Sequence, residues 1–243
     1  MQSKTINEEN REEIKNAIEN SRVVFGFVSV NYVELLKSIF EYEILREICS
    51  EKSLDDSIFS ISFSKMFRNL FNYLESSHSL GESIQKISEK WNSEDDVLPK
   101  IDSLEKTKDK HNFMIEIVTG DAVRNLLHHN NVKSEFLLSN VALSKNKNGG
   151  IQYANVLINY EEILKHKDFL CKVPKAYKEE TFKKIKEFFL FIENNEQKQP
   201  YTLRGKECFF VQKNVKNRVF LKDFIDVHFK ALQDLQEETV RFL

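Results

Sequence analysis

Apolar residues recur through the first fifty positions in alternating steps of four and three residues, which is the spacing of one face of a long helix. The stripe contains Ile14, Ile18, Phe25, Val28, Tyr32, Leu35, Ile39 and Tyr42. The pattern predicts a helix from about Asn7 to Cys49, with Gly26 as the position where it would kink, because glycine weakens a helix interior. A helix of this length is typical of the axis of a helical bundle.

Three more helices are predicted before residue 131. The second carries a stripe of large apolar residues, Phe59, Phe63, Met66, Phe67, Leu70 and Leu74. A third is expected to begin at Ser79, because Ser79-Leu80-Gly81-Glu82 has the form of a capping box, and to continue to Trp91. The fourth is expected from about Ile101 to Asn130, with Gly120 as an interruption that would bend it.

The character of the sequence changes after Asn131. Residues 136–144 and 151–160 favour strands, and the segment between them ends in Gly149-Gly150, so the two runs predict a β-hairpin. A helix follows Pro174 and is broken by Pro200, residues 207–212 suit a short strand, and a closing helix begins at Leu221. The expected fold is mainly α: a helical bundle core over residues 1–131, and a β-hairpin and helical extension over residues 132–243 packed on the same domain.

Composition supports a helical chain. Phenylalanine occurs 20 times, glycine six times and proline three times, which argues against disorder and against a turn-rich all-β fold. A formal net charge of -2 gives no overall positive field for a long polyanion, so any contact with nucleic acid is expected to be local.

Features of the termini, apolar runs and cysteines point to a cytoplasmic protein. The first residues are polar and acidic rather than signal-like, and the apolar run 23–30, which has only eight residues and contains Gly26 and Ser29, is too short to cross a bilayer. The three cysteines, Cys49, Cys171 and Cys208, form no CxxC pair for zinc or redox chemistry. The sequence therefore predicts a soluble protein in a reducing cytoplasm, without membrane contact.

The clearest candidate chemistry is the segment Arg124-Asn125-Leu126-Leu127-His128-His129, near the end of the fourth predicted helix. Extending the apolar stripe of that helix by steps of three and four reaches Asn125 and His129, so polar groups stand where a buried line should continue. The segment joins a permanent cation, an amide and two imidazoles. Such groups can cleave a phosphodiester through proton transfer and charge stabilisation.

A helical bundle whose late helix carries Arg, a polar residue, three variable residues and His resembles the HEPN superfamily. Arg124, Asn125 and His129 match that pattern, and helices across roughly the first 130 residues support it. The resemblance implies a metal-independent endoribonuclease in which the 2′-hydroxyl of RNA attacks the phosphate. His129 would exchange protons, Arg124 would stabilise charge on the phosphate, and Asn125 would orient the imidazole or hold the phosphate.

The same resemblance implies partners and a setting. It implies a homodimer in which two motifs face each other across a cleft, RNA as substrate, and a role in toxin–antitoxin or antiphage defence with an antitoxin protein as a further partner. The alternative from another class is a noncatalytic HEPN-like binding or dimeric assembly module that keeps the motif as an interface.

Helix geometry leaves two candidates for the acting imidazole. Arg124 and His128 lie about 40° apart on an ideal helix, whereas Arg124 and His129 lie about 140° apart. An undistorted helix therefore favours His128, and the family spacing favours His129. Because Asn130-Asn131 can end the helix in a left-handed turn, the last turn could be distorted enough for the second choice. We prefer His129 and keep His128 as the alternative or as an auxiliary group.

Simpler interpretations compete with a catalytic one. Cations and asparagine are common at helix C-termini, so the segment could be a helix cap. Arg68-Asn69-Leu70 repeats the start of the motif without a following histidine. The other histidines, His78, His111, His166 and His228, have no carboxylate or cysteine at metal-binding spacing and are expected to be structural or surface residues. No cofactor or metal site is predicted.

Overall fold

The computed structural model describes residues 8–51, 56–92, 115–129, 141–146, 152–165, 178–198, 201–203, 206–209 and 217–240. These residues form six helices: α1 (Glu8–Glu51), α2 (Asp56–Asn92), α3 (Ile115–His129), α4 (Tyr160–Lys165), α5 (Lys178–Lys198) and α6 (Leu221–Val240). They also form five short strands: β1 (Val141–Asn146), β2 (Gln152–Asn159), β3 (Tyr201–Leu203), β4 (Lys206–Phe209) and β5 (Arg218–Phe220). The mainly helical fold with a long first helix is confirmed.

The first helix is as long as its apolar stripe predicts. Residues of the stripe are buried, with Val28 and Leu35 completely covered, and Ile18, Ile39 and Tyr42 at most 5% exposed. The helix continues through Gly26, so this glycine does not interrupt it. One face of α1 therefore forms part of the protein core over most of the helix length.

The second and third predicted helices are one helix, α2, so the predicted start at Ser79 is wrong. The Ser79 hydroxyl donates a hydrogen bond back to the Glu75 carbonyl at 3.0 Å, inside the helix, instead of capping a new one. The physical reason is an unbroken buried stripe, Met66, Leu70, Tyr73, Leu80, Ile84 and Ile87, which keeps its helical spacing through the serine. Continuous packing outweighs a local capping signal.

Helix α3 carries the candidate segment. The structure describes it from Ile115, and the predicted part over residues 101–114, which includes His111, lies outside the described residues. The helix continues through Gly120, which packs against a buried imidazole. A Cβ at this position would lie 2.1 Å from Nε2 of His228. Close packing, and not a bend, accounts for this glycine.

The predicted hairpin is confirmed and is the centre of a small antiparallel sheet. Strand β1 pairs with β2, with Val141 opposite Val156 and Lys145 opposite Gln152. The sheet has the order β3-β4-β1-β2-β5, and α6 follows β5 directly. Three consecutive residues of β2, Val156 to Ile158, are buried where the sheet packs against the helices.

One continuous cluster of buried side chains joins the helices to β2 and β5. Aromatic stacking ties the first and last helices together, because Phe229 of α6 stacks on Tyr32 with ring centroids 4.0 Å apart and on Phe25 at 5.9 Å. Tyr160 of α4 stacks on Phe189 of α5 at 5.0 Å. The described elements before and after residue 131 thus share one core.

Helix α1 also contains a long apolar segment, part of which is exposed. The segment Glu12–Leu45 contains an 18-residue window with a mean hydropathy of 1.5, long and apolar enough to cross a membrane by length and composition. The run 23–30 underestimates this character, because apolar residues continue after Asn31. Core helices of soluble proteins meet the same criterion, so the segment by itself assigns no location.

Candidate functional site

The candidate motif lies in a line of polar contacts between α2 and α3, which we call the polar seam. Its members on α2 are Phe71, Glu75, His78 and Glu82, and its members on α3 are Asp121, Arg124 and His128. The two helices run in opposite directions here, because Phe71 contacts His128 at one end and His78 contacts Asp121 at the other. The seam therefore joins residues that are more than forty positions apart in sequence.

Arg124 is held by a carboxylate from the neighbouring helix. Its Nε donates to Glu75 Oε1 at 2.9 Å and its Nη2 donates to Glu75 Oε2 at 3.0 Å, a paired geometry that suits the planar guanidinium. The Arg124 side chain is only 14% exposed. Burial raises the pKa of the Glu75 carboxyl, but hydrogen bonds from Arg124 and His128 lower it more, so its pKa lies below the ordinary value. Glu75 is therefore an anion beside the candidate cation.

His128 contacts the same carboxylate. Its Nε2 hydrogen-bonds Glu75 Oε1, and its ring lies tilted against Phe71 with centroids 5.0 Å apart. The side chain is 38% exposed, so solvent reaches it. Arg124 and His128 are four residues apart on a continuous helix, which is why one carboxylate can contact both.

The structure thus brings Arg124 and His128 together, the pairing that helix geometry favours. The backbone of α3 stays helical to His129, so the distortion that would turn His129 towards Arg124 is absent from this last described turn. The side chain of His129 lies outside the described part of the structure. Its assignment as the acting imidazole remains a prediction that rests on the family spacing.

Asn125 has a structural explanation for its place on the apolar stripe. It is 4% exposed, and its side-chain oxygen accepts a hydrogen bond from Arg124 Nη1 at 3.4 Å. The described contact of Asn125 is with the guanidinium, so the residue positions Arg124. The second Arg-Asn pair behaves differently: Arg68 is exposed, and Asn69 donates to the backbone carbonyl of Glu34 at 3.2 Å, holding α2 against α1.

Of the seven members of the polar seam, only Arg124 and His128 were candidates from sequence, and the other five were missed. Glu75 carries no local signal, because its partners lie 49 and 53 residues further along the chain. His78 was expected to be a structural or surface residue with no carboxylate at metal-binding spacing, but two carboxylates lie beside it. Its Nδ1 lies 3.0 Å from Asp121 Oδ1 and its Nε2 lies 3.2 Å from Glu82 Oε1. Glu82 stands one helical turn after His78, so the spacing itself was a signal that could have found this pair.

A second histidine, His228, is buried in the core and not in the seam. Its Nδ1 and the Tyr73 hydroxyl are joined by a hydrogen bond of 2.7 Å, and its ring packs on Phe224 and against Gly120. Burial lowers the pKa of His228 to about 4, with the Asp121 charge opposing the shift. The imidazole is therefore neutral near pH 7 and acts as a packing group in the core.

Within the described residues, no group of three or more His, Cys, Asp and Glu side chains is arranged to hold a metal ion. Comparison with family models, characterised proteins and solved structures found no significant match to this chain. The arrangement of Arg124, His128 and Glu75 is therefore interpreted from its own chemistry.

Proposed function

We propose that this protein is a metal-independent endoribonuclease of the HEPN type that cleaves RNA at the polar seam. The observation that carries the proposal is the convergence of Arg124 and His128 on one carboxylate, with His128 open to solvent. A fixed cation and a titratable imidazole on one helix face are the two groups that phosphodiester cleavage by the RNA 2′-hydroxyl requires.

The proposed reaction needs one proton acceptor and one proton donor. An imidazole, His128 or the predicted His129, removes the proton of the 2′-hydroxyl while O2′ attacks phosphorus. The P–O5′ bond breaks, and the 5′-oxygen leaves with a proton from a second acid. The products are a 2′,3′-cyclic phosphate and a 5′-hydroxyl end. DNA lacks the attacking hydroxyl and is not a substrate.

Glu75 affects the proposed cleavage reaction in two ways. Its hydrogen bond with His128 Nε2 fixes the ring orientation and stabilises the imidazolium that forms when the base takes a proton, as carboxylates do for catalytic histidines. It also accepts hydrogen bonds from Nε and Nη2 of Arg124, so a phosphate must either replace this carboxylate or approach the remaining guanidinium N–H groups. Asn125, which contacts Nη1, positions the arginine in both cases.

The proposal includes a homodimer, because one imidazole per site would have to perform both proton transfers. A second motif facing the first across a cleft would provide the missing acid. An antitoxin partner and a role in toxin or antiphage defence belong to the same proposal, since they come from the family resemblance alone.

A second candidate is a noncatalytic binding or assembly module. The specific observation in its favour is the paired Arg124–Glu75 contact, which already satisfies two arginine donors inside the protein. In this alternative the polar seam holds α2 against α3, and the histidine adds one more hydrogen bond to the same carboxylate.

An RNA cleavage assay separates the two candidates. Single-stranded RNA is incubated with the purified protein in excess chelator, and cyclic-phosphate ends are measured for wild type, Arg124→Ala, His128→Ala and His129→Ala. Arg68→Ala is the matched control, because it removes an exposed arginine from an identical Arg-Asn-Leu sequence on α2. Circular dichroism confirms that every variant is folded.

The ribonuclease predicts cleavage that is lost in Arg124→Ala and in one histidine variant, and kept in Arg68→Ala. A loss of at least about a hundredfold is expected for a group that takes part in proton transfer. Two results would contradict the ribonuclease and favour the assembly module. One is cleavage that none of the three substitutions changes, and the other is a folded wild type that cleaves no RNA in a panel of substrates.

A further inference from the structure

Helix α1 carries an exposed stripe that no described helix or strand covers. Its members are spaced by alternating steps of four and three, the spacing of the contact positions in a coiled coil. We call it the outer stripe: Glu19, Val23, Gly26, Val30, Val33 and Lys37, all exposed. The three valines have exposed fractions of 59–61%, and neighbouring Phe27 is 62% exposed.

This exposure is concentrated rather than scattered. Four of the ten large apolar residues that are exposed in the described structure lie within eleven residues of α1: Val23, Phe27, Val30 and Val33. The opposite face of the same helix is already buried against α2 and α6 through the stripe that contains Val28 and Leu35. A contiguous apolar surface beside a completed core is typical of an interface.

Gly26 gives a second, independent observation. A glycine in a helix interior is unfavourable relative to alanine, yet among the described residues no atom beyond the adjacent residues and the local helix backbone lies within 4 Å of the position that a Cβ would take here. Gly120 is different, because His228 occupies the space beside it. No described part of the protein therefore accounts for glycine at position 26, whereas close approach of a second helix would.

We infer that the outer stripe binds a second copy of this chain, with the two α1 helices antiparallel about a twofold axis. When the axis lies at the level of residue 28, Val23 of one copy faces Val33 of the other, and Gly26 faces Val30. Glu19 then faces Lys37 at both ends of the contact. Each pair joins opposite contact positions of the four-three spacing, as antiparallel helix packing requires.

The charges of the outer stripe favour a second copy of the chain over a membrane, and an antiparallel over a parallel pair of helices. In a parallel pair, Glu19 would face Glu19 and Lys37 would face Lys37, which is repulsive. A membrane would have to accept these charges and the exposed Arg22 and Glu34 on the edges of the stripe, at a high desolvation cost. A second copy instead pairs the charges at the two ends, about 27 Å apart along the helix, and covers the valines between them.

The outer stripe contact is separate from the seam-to-seam homodimer of the proposed ribonuclease, because no residue of the polar seam belongs to the outer stripe, so either contact can fail without the other. Its test is the oligomeric state by sedimentation or light scattering, up to about 100 μM protein, which populates dimers of micromolar Kd. Val30→Glu places a charge at the centre of the contact. Ile61→Glu is the matched control, since Ile61 is 70% exposed on α2 and lies outside the stripe.

The expected result is a wild type that self-associates through the outer stripe, a Val30→Glu protein in which the Kd of this contact is weakened at least about tenfold, and an Ile61→Glu protein that associates as the wild type does. Where the polar seam also dimerises, Val30→Glu should reduce a larger assembly to the seam dimer. Glu19→Lys should weaken the dimer, and adding Lys37→Glu should restore it. Direction is tested with cysteines: mixed Val23→Cys and Val33→Cys proteins should form a disulfide-linked dimer under mild oxidation, whereas neither should do so alone.

Three results would overturn the inference. One is a wild type that remains monomeric at these concentrations. Another is an assembly whose size Val30→Glu and the charge reversals leave unchanged, which would place all of the association outside the outer stripe. The third is a protein that floats with phosphatidylcholine–phosphatidylglycerol vesicles through the same valines and does not self-associate, which would make the outer stripe a membrane contact.

Discussion

Replacing Gly120 by alanine tests how the core is packed around His228. The added Cβ would lie 2.1 Å from Nε2, 2.7 Å from Cδ2 and 2.8 Å from Cε1 of the imidazole, so the ring must move. His228 is 1% exposed, its ring packs on Phe224, and its Nδ1 is hydrogen-bonded to Tyr73. The ring therefore has little room to move.

Three contributions set the size of the effect. Overpacking a core costs about 1–3 kcal/mol. Losing the Tyr73–His228 hydrogen bond inside the core costs about 1–3 kcal/mol more. Alanine returns about 1 kcal/mol through its helix propensity. We therefore expect Gly120→Ala to lower the free energy of unfolding by about 3 kcal/mol, and Tm by about 10 °C for a chain of this length.

Urea denaturation followed by circular dichroism measures the change, with Gly81→Ala as the matched control. Gly81 is also in a helix, but no atom lies within 4 Å of its Cβ position, so this variant should be about 1 kcal/mol more stable than wild type. In a His228→Ala background the cost of Gly120→Ala should largely disappear, because the colliding ring is gone. A Gly120→Ala protein as stable as Gly81→Ala, or a cost that persists without the imidazole, would refute this account of the packing.

Three other measurements follow from the same contacts. Because the pKa of His228 is about 4 in the folded protein and near 6.5 when unfolded, stability should fall by about 3 kcal/mol as the pH decreases from 6.5 to 4, and this slope should be absent in His228→Gln. Arg124→Ala should cost about 1–2 kcal/mol in urea denaturation, because it leaves half-buried Glu75 without its main partner, whereas Arg68→Ala should change stability by less than about 0.5 kcal/mol. Tyr160→Phe should cost about 1–2 kcal/mol, because the Tyr160 hydroxyl donates to buried Glu193, and thermal unfolding can check it.

Periodicity was sufficient for the long elements of this fold. The α1 stripe predicts its helix within two residues at each end, because burial of one face repeats regularly over about seven turns, from Ile18 to Tyr42. The hairpin follows from two β-favouring runs around a glycine pair, and the pairing of β1 with β2 agrees. These signals are local, so a single sequence contains them.

The periodicity of the sequence could not predict contacts between residues that are distant in sequence. The capping box at Ser79 is a local signal that the buried stripe of α2 overrides, and Gly120 looked like a bend because its neighbour His228 is distant in sequence. Glu75 could not be joined to Arg124 without knowing how α2 and α3 pack. The candidate motif was visible from sequence, but its carboxylate partner was not.

The stacking of Phe229 on Tyr32 has a consequence for the order in which the protein can fold. The same two helices are also joined by the hydrogen bond from the Tyr32 hydroxyl to Asp226, across 194 residues of chain. During synthesis, α1 and α2 can pair early because they are neighbours in sequence, but the aromatic face that α6 covers must wait. Until α6 has emerged from the ribosome, the nascent chain exposes that aromatic face in addition to the outer stripe. We expect the nascent chain to depend most on chaperones during this interval.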